Sequence, residues 1–157
     1  LQSGNIALEK KAVSIKELLL DVTDRYDVIA AESGLTLAFE LRGDLPRVYS
    51  NPDRIEQVLI AILDNAVKYS PDNGQITISV KQRGDKLAVH IQNPGNIPET
   101  DIPHVFERFY KADRAHSGEG TGLGLSIAKE IMDLLNEDIT VKSEGGVVTF
   151  TITLTIM

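Results

Sequence analysis

The sequence predicts an α+β domain, a two-layer sandwich with helices on one face of a sheet, and three patterns carry that prediction. Apolar residues recur at helical spacing in three stretches and alternate in strand fashion in others. Helical stretches and hairpins come in blocks rather than in strict alternation, which favours helices segregated to one sheet face. At 157 residues, 42% hydrophobic and 25% charged, the chain has the material for a single core.

Residues 1–13 are polar without a sustained period and read as a linker. Ser14 opens the first helix, with Glu17 completing a capping box, and Leu18, Leu19, Val22, Tyr26 and Ile29 hold the helical period up to Gly34. Leu35, Leu37, Phe39 and Leu41 then share one side of a strand, and a short extended piece around Val48 is expected to pair with it. Ser50 or Asn51, followed by Pro52, starts a second helix whose stripe is Ile55, Val58, Leu59, Ile62, Leu63 and Ala66. The other face of that helix carries Asp64, Asn65 and Lys68.

"QITISV" and "KLAVHI" form a hairpin around "RGDK". From Asn93 to Thr121 the chain has prolines, glycines and one short amphipathic turn near 102–109. A connection of that length is functional or mobile, and is the lid candidate. A third helix is expected over about 122–135, and "ITVKS" with "VVTFTITL" make a closing hairpin.

Composition excludes several functions. The chain has no cysteine, so disulfides and thiolate metal sites are ruled out, and His90, His104 and His116 are too scattered for a zinc set. Any metal is expected on oxygen ligands. No apolar run approaches the roughly 20 residues of a spanning helix, and no leader opens the chain, so the piece reads as soluble. A net charge of −7 argues against nucleic acid as a partner, although a few placed donors suffice for a nucleotide.

Four segments carry the chemistry. "GEGTGLGLSIAKEI" places Gly118, Gly120, Gly122 and Gly124 before a helix, where bare backbone and a helix N-terminus suit a phosphate; a flexible loop entering a helix is the plain alternative. The spacing fits neither GxGxxG nor GxxxxGK[ST]. Asn65 and Lys68 share a helix facet, an amide oxygen suited to Mg²⁺ and an ammonium suited to phosphate, or else a solvated polar face. "NPGNIP" after Ile91 makes a tight turn that exposes backbone. "VFERFYKADR" interleaves aromatic and basic residues, which alone read as a small apolar anchor with solvated charges.

In this order and at these distances, the segments resemble the N, G1, F and G2 boxes of sensor histidine kinase catalytic domains. Those domains belong to the GHKL superfamily, shared with gyrase, Hsp90 and MutL. The resemblance runs through "LDNAVKYSP", "FERFYKAD", "GTGLGLSIAKEI" and "VTFTITL". It implies the Bergerat fold, with a mixed five-stranded sheet and three main helices, in a catalytic domain over 14–157.

The resemblance also implies ATP and Mg²⁺ as ligands. Asn65 would hold the metal, Lys68 and Tyr69 would lie near phosphate and ribose, and Gly120, Thr121, Gly122, Leu123, Gly124 and Leu125 would wrap the phosphates. Arg108 and Lys111 would reach the γ-phosphate from the lid. Asn93 would face the adenine amine, with Gly95 and Ile97 beside it, and Thr149 would assist through water.

The family's reaction passes the γ-phosphoryl to a histidine on a separate dimerisation domain, which then serves a response regulator. By the same resemblance the whole protein would be a homodimer anchored in the bacterial inner membrane, with this piece a cytoplasmic monomer. No histidine here has an HExxxP-like context, so the piece is not expected to phosphorylate itself.

Two positions depart from the family pattern. The G1 segment is one residue short and has Asn93 where a carboxylate is usual. Ala61 stands where a second asparagine, or a water-activating glutamate in gyrase-type ATPases, is common. These departures support an alternative, a nucleotide-binding or scaffold module without kinase activity. A gyrase-like ATPase or an anti-sigma-factor serine kinase is a third reading, which the missing base at Ala61 opposes.

Overall fold

Ser14 caps the first helix as its sequence suggests, its Oγ accepting from the Glu17 N–H at 3.2 Å. A computed structural model describes residues 9–41, 43–108 and 124–157. In chain order the elements are β1 (Lys11–Val13), α1 (Ile15–Glu32), β2 (Thr36–Glu40), β3 (Val48–Ser50), α2 (Pro52–Tyr69), β4 (Gln75–Arg83) and β5 (Lys86–Pro94). A 3-10 turn (Ile102–His104), α3 (Gly124–Leu134), β6 (Asp138–Glu144) and β7 (Val147–Thr155) follow.

The main sheet has five strands in the order β2-β4-β5-β7-β6. Only β2 and β4 run parallel, so the sheet is mixed. Strand alternation decides its two faces. Ile76, Ile78, Leu87, Val89, Ile91, Val148, Phe150, Ile152 and Leu154 are buried and join the apolar stripes of α1, α2 and α3 in one core. The residues between them, among them Ser79, Lys81, His90, Gln92, Thr149 and Thr151, line an open groove on the other face.

The stripe of α2 is the predicted one, with Ile55, Val58, Leu59, Ile62, Leu63 and Ala66 all buried. Asn51 is its cap, accepting from Arg54 N–H at 3.0 Å. Opposite the stripe, Asp64 Oδ1 accepts the Tyr26 hydroxyl at 2.5 Å, which ties α2 to α1. Both hairpins form where expected. Gly145 and Gly146, at φ 61° and 81°, supply the left-handed turn between β6 and β7.

The extended piece at Val48 does not pair with the strand at 36–40. Instead β3 pairs antiparallel with β1, Val13 opposite Val48, and a bridge joins Val48 to Ile156. The reason is burial: Val13 and Val48 are both in the core, while β2 satisfies its ladder on β4, with Leu37 opposite Ile76 and Phe39 opposite Ile78. Part of the stretch read as linker is therefore strand β1.

Candidate functional site

The second half of α2 and the end of β5 approach one another at the edge of the core. Asn65 and Tyr69 are four apart on α2, hence on one facet. Asn93 continues the inward row of Val89 and Ile91 along β5, so the same alternation that builds the core carries a polar side chain into it. Asn65, Tyr69, Asn93, Gly95, Asn96, Ile97, Val105, Leu125, Val148 and Phe150 enclose a cavity of about 180 Å³.

The loop after β5 is held tightly. Gly95 has φ 153°, and its N–H donates to Gly146 O at 3.0 Å. A Cβ at Gly95 would lie 3.4 Å from Asn93 Nδ2 and 3.7 Å from Val148 Cγ2, in ordinary contact, so it is the positive φ rather than lack of space that favours glycine here. Ile97 N–H donates to Ser143 Oγ at 2.9 Å, which ties the loop to β6. Farther along, Val105 is buried, and Phe106 meets Phe150 edge-on, centroids 6.1 Å apart.

Asn93 is 4% exposed and donates from Nδ2 to Pro94 O at 2.8 Å. Among the described residues no hydrogen bond takes its Oδ1, and this oxygen is not one of the sealed unpartnered atoms, which are Ser50 Oγ and Thr153 Oγ1. A buried acceptor open to the cavity awaits a donor, since desolvation without a partner is costly. Tyr69 supplies a ring at the other side, with Lys68 Nζ 5.8 Å from its centroid.

Apart from Thr149, the expected site residues fall into three groups. Asn65, Tyr69, Asn93, Gly95, Ile97 and Leu125 come together around the cavity. Lys68, Gly124 and Arg108 are not among the lining residues. Gly124 is the first residue of α3 and faces Ala61 of α2, where a Cβ would sit 3.9 Å from the Ala61 Cβ. Arg108 is exposed and pairs with Glu130 of α3 at 3.6 Å. Lys111, Gly120, Thr121, Gly122 and Leu123 lie outside the described residues.

Thr149 does not join the site. Alternation along β7 puts it on the outer face, where it accepts from Gln92 Nε2 at 3.2 Å, and its neighbour Val148, opposite Asn93, lines the cavity instead. Asn96, Val105, Val148 and Phe150 are wall residues that the motifs alone did not single out. The signal for Val148 and Phe150 was in the inward parity of the closing strand. Val105 and Asn96 depend on how an irregular segment folds back.

Apolar walls at Ile97, Val105, Leu125, Val148 and Phe150 with amides at Asn65, Asn93 and Asn96 suit a ligand that has both an apolar face and an edge donor, and the Asn65 amide oxygen is a hard-cation ligand. Among the described residues no group of three or more His, Cys, Asp or Glu could hold a metal by itself. A cation here would have to be shared with its ligand's own oxygens, as Mg²⁺ usually is on phosphates. The residues present therefore fit a Mg²⁺–nucleotide complex.

Known proteins agree with this geometry. Residues 50–156 match the family described as histidine kinase-, DNA gyrase B-, and HSP90-like ATPase. The sensor protein VanS of Enterococcus faecium is 34% identical over 154 residues, 97% of this chain and 40% of the relative. The adaptive-response sensory kinase SasA of Rippkaea orientalis is 36% identical over 139 residues, 84% of this chain and 36% of the relative. The chain thus spans well under half the length of these relatives.

Among solved structures, the catalytic domain of histidine kinase ThkA superposes with a TM-score of 0.83 at 28% identity, covering 94% of this chain and 96% of that one. ThkA in complex with the response regulator TrrA gives 0.81 at 26% identity, over 96% of this chain and 42% of that one. Family match, fold and cavity converge: this chain belongs to the histidine kinase-, DNA gyrase B- and HSP90-like ATPases, as the ATP-binding catalytic domain of a sensor histidine kinase.

Proposed function

We propose that this domain binds Mg²⁺–ATP with its base in the cavity and presents the γ-phosphoryl to a histidine on a separate dimerisation domain. The observation that carries the reading is the meeting of Asn65 from α2 and Asn93 from β5 in one cavity. At about 180 Å³ it is smaller than the roughly 300–1,000 Å³ of a drug-sized ligand site, which suits a base with the phosphates outside.

In this reading Asn93 Oδ1 accepts from the base amine, and Val105, Leu125, Val148 and Phe150 exclude water from the ring. Asn65 offers its amide oxygen to Mg²⁺, which when bound neutralises phosphate charge. Lys68, whose Nζ lies 5.8 Å from the Tyr69 ring centroid, adds a positive charge on the phosphate side. Lys111, Arg108 and the backbone from Gly120 to Leu125 complete the phosphate contacts, and Thr149 takes no part. Transfer then depends on positioning and charge neutralisation rather than on a general base, consistent with Ala61 on α2.

The whole protein in this reading is a membrane-anchored homodimer whose phosphohistidine serves a response regulator, the kind of partner seen with ThkA. The test mixes this chain, the phosphoacceptor domain of the same protein and γ-labelled ATP. Acid-labile label on the acceptor is expected, and its absence under saturating Mg²⁺–ATP contradicts kinase activity. Ala61 and the uncharged Asn93 favour a second reading, a nucleotide-binding module without transfer. Saturable binding with no labelled acceptor would select it.

A further inference from the structure

The apolar stripes of α1, α2 and α3 pack on one face of the main sheet, and side chains of the other face line an open groove of about 810 Å³. Strand register orders that groove. Glu40, Ser79, His90, Thr151 and Thr140 stand side by side in one row across all five strands. On one side of this row Gln92, Thr149 and Lys142 make the next, and on the other side β4 carries Lys81 and then Arg83.

Lys81 and Arg83 are exposed, and among the described residues no carboxylate pairs with either. Both act on His90, whose pKa is held below its ordinary value by burial and then by these two charges. Lys142 pairs with Glu144 at 3.0 Å, but both side chains are largely exposed, so the pair holds weakly and is open to exchange. Gathered like charges repel and cost stability unless something answers them. The chain has 23 acidic and 16 basic residues, so this groove is a positive patch on an acidic molecule, and its complement is an acidic partner.

Spacing narrows what that partner is. Three strand intervals separate Lys81 on β4 from Lys142 on β6, at least about 14 Å. One phosphate or carboxylate cannot reach both, whereas a chain of carboxylates can. Lys81 and Arg83, two apart on β4, are about 7 Å from one another, which is also the repeat of side chains on one side of an extended peptide. Ser79 and Thr140 add hydroxyl donors for carboxylate or peptide oxygens. The net charge of −7 opposes a nucleic-acid backbone. Glu40, at the β2 end of the row, is out of place against a uniformly anionic lipid surface and acceptable against a peptide.

We propose that the outer face of the sheet docks an acidic polypeptide segment of a partner protein, with Lys81 and Arg83 as its main charge contacts and Ser79, His90 and Thr140 beneath it. The surface is separate from the cavity, because Val148 and Phe150 of β7 face the cavity while Thr149 and Thr151 face the groove.

Amide resonances followed during titration with an oligoglutamate of about ten residues, roughly 33 Å when extended, test it on the unaltered chain and on the double variant Lys81→Glu, Arg83→Glu. Saturable shifts are expected at Ser79, Lys81, His90, Thr149 and Thr151. They should weaken about fivefold or more when salt is raised from about 50 mM to about 300 mM. The double variant should lose about tenfold or more in peptide affinity with its thermal midpoint near that of the parent. Lys81→Gln with Arg83→Gln should fall between the two.

Absence of saturable shifts, shifts centred on other residues, or equal peptide binding by both variants and the parent would overturn the proposal. Inorganic phosphate saturating the same residues as tightly as the peptide would also overturn it, since a small oxyanion would then suffice. Co-sedimentation with phosphatidylserine vesicles that oligoglutamate does not displace would assign the face to a lipid surface instead.

Discussion

Asn65 and Asn93 were legible as candidates because each sits in a motif, but their neighbours decide what they can do. Asp64, beside Asn65, is committed to the Tyr26 hydroxyl, whose pKa is pushed well above its ordinary value by burial and then by that bond. Asn65 is left as the polar residue of that turn on the cavity side. Asn65→Ala should weaken Mg²⁺–ATP binding about tenfold or more, the worth of one charge-assisted contact, while leaving the thermal midpoint near that of the parent. Isothermal titration with a thermal melt checks both halves.

Gly95→Ala tests the loop. At φ 153°, with Asn93 Nδ2 and Val148 in contact distance, the new methyl should cost about 1–3 kcal/mol in urea unfolding and also reduce nucleotide affinity. Thr149 shows where motif reading ended. Its type and strand were right for a site residue, but its parity was wrong, and only the pairing of β5 with β7 fixes which parity faces the cavity.

At the scale of elements, periodicity recovered what is local. The stripe of α2, the capping of α1 and both hairpins follow from spacing and turn residues within a few positions of one another. What it missed is non-local: β1 pairs with β3 across some 35 residues of chain, and β2 pairs in parallel with β4 across an intervening helix. Parallel pairing and sheet edges leave no short-range signature. Asn51 belongs to both classes, since it caps α2 and also donates from Nδ2 to Glu9 O at 2.9 Å. Asn51→Ala should cost about 1–2 kcal/mol in urea unfolding, at the upper end for a lost cap.

Across the whole molecule, charge separates the two sheet faces. The outer groove gathers Lys81, Arg83, His90 and Lys142 on a chain of net charge −7. Burial, then the nearby Arg83 and Lys81, hold the His90 pKa below its ordinary 6.5, while its Nδ1 bonds Thr151 Oγ1 at 2.8 Å. Because the folded value is the lower one, the stability this contributes is present above pH 6.5 and is lost as pH falls through the folded value. Urea midpoints at pH 7.5 and about pH 5 should therefore differ less in His90→Gln than in the parent.

At the other extreme, Glu137 accepts from Lys86 Nζ at 2.8 Å and from Thr155 N–H at 2.7 Å, and this raises the Lys86 pKa above 10.5. That contribution is intact below 10.5 and fades only above it, so it is constant over the range where His90 titrates. Glu137→Gln should cost about 1–2 kcal/mol at pH 7 by urea unfolding, discounted because the Lys86 side chain is one-third exposed.

The central claim is that a nucleotide base occupies the cavity between α2 and β5. Backbone amide resonances followed during a Mg²⁺–ATP titration test it most directly. Saturable shifts centred on Asn65, Tyr69, Asn93, Gly95, Ile97 and Leu125 are predicted, with a dissociation constant between roughly 1 μM and 1 mM. Shifts centred instead on His90, Thr149 and Thr151 of the outer face, or no saturable shift at all, would contradict it.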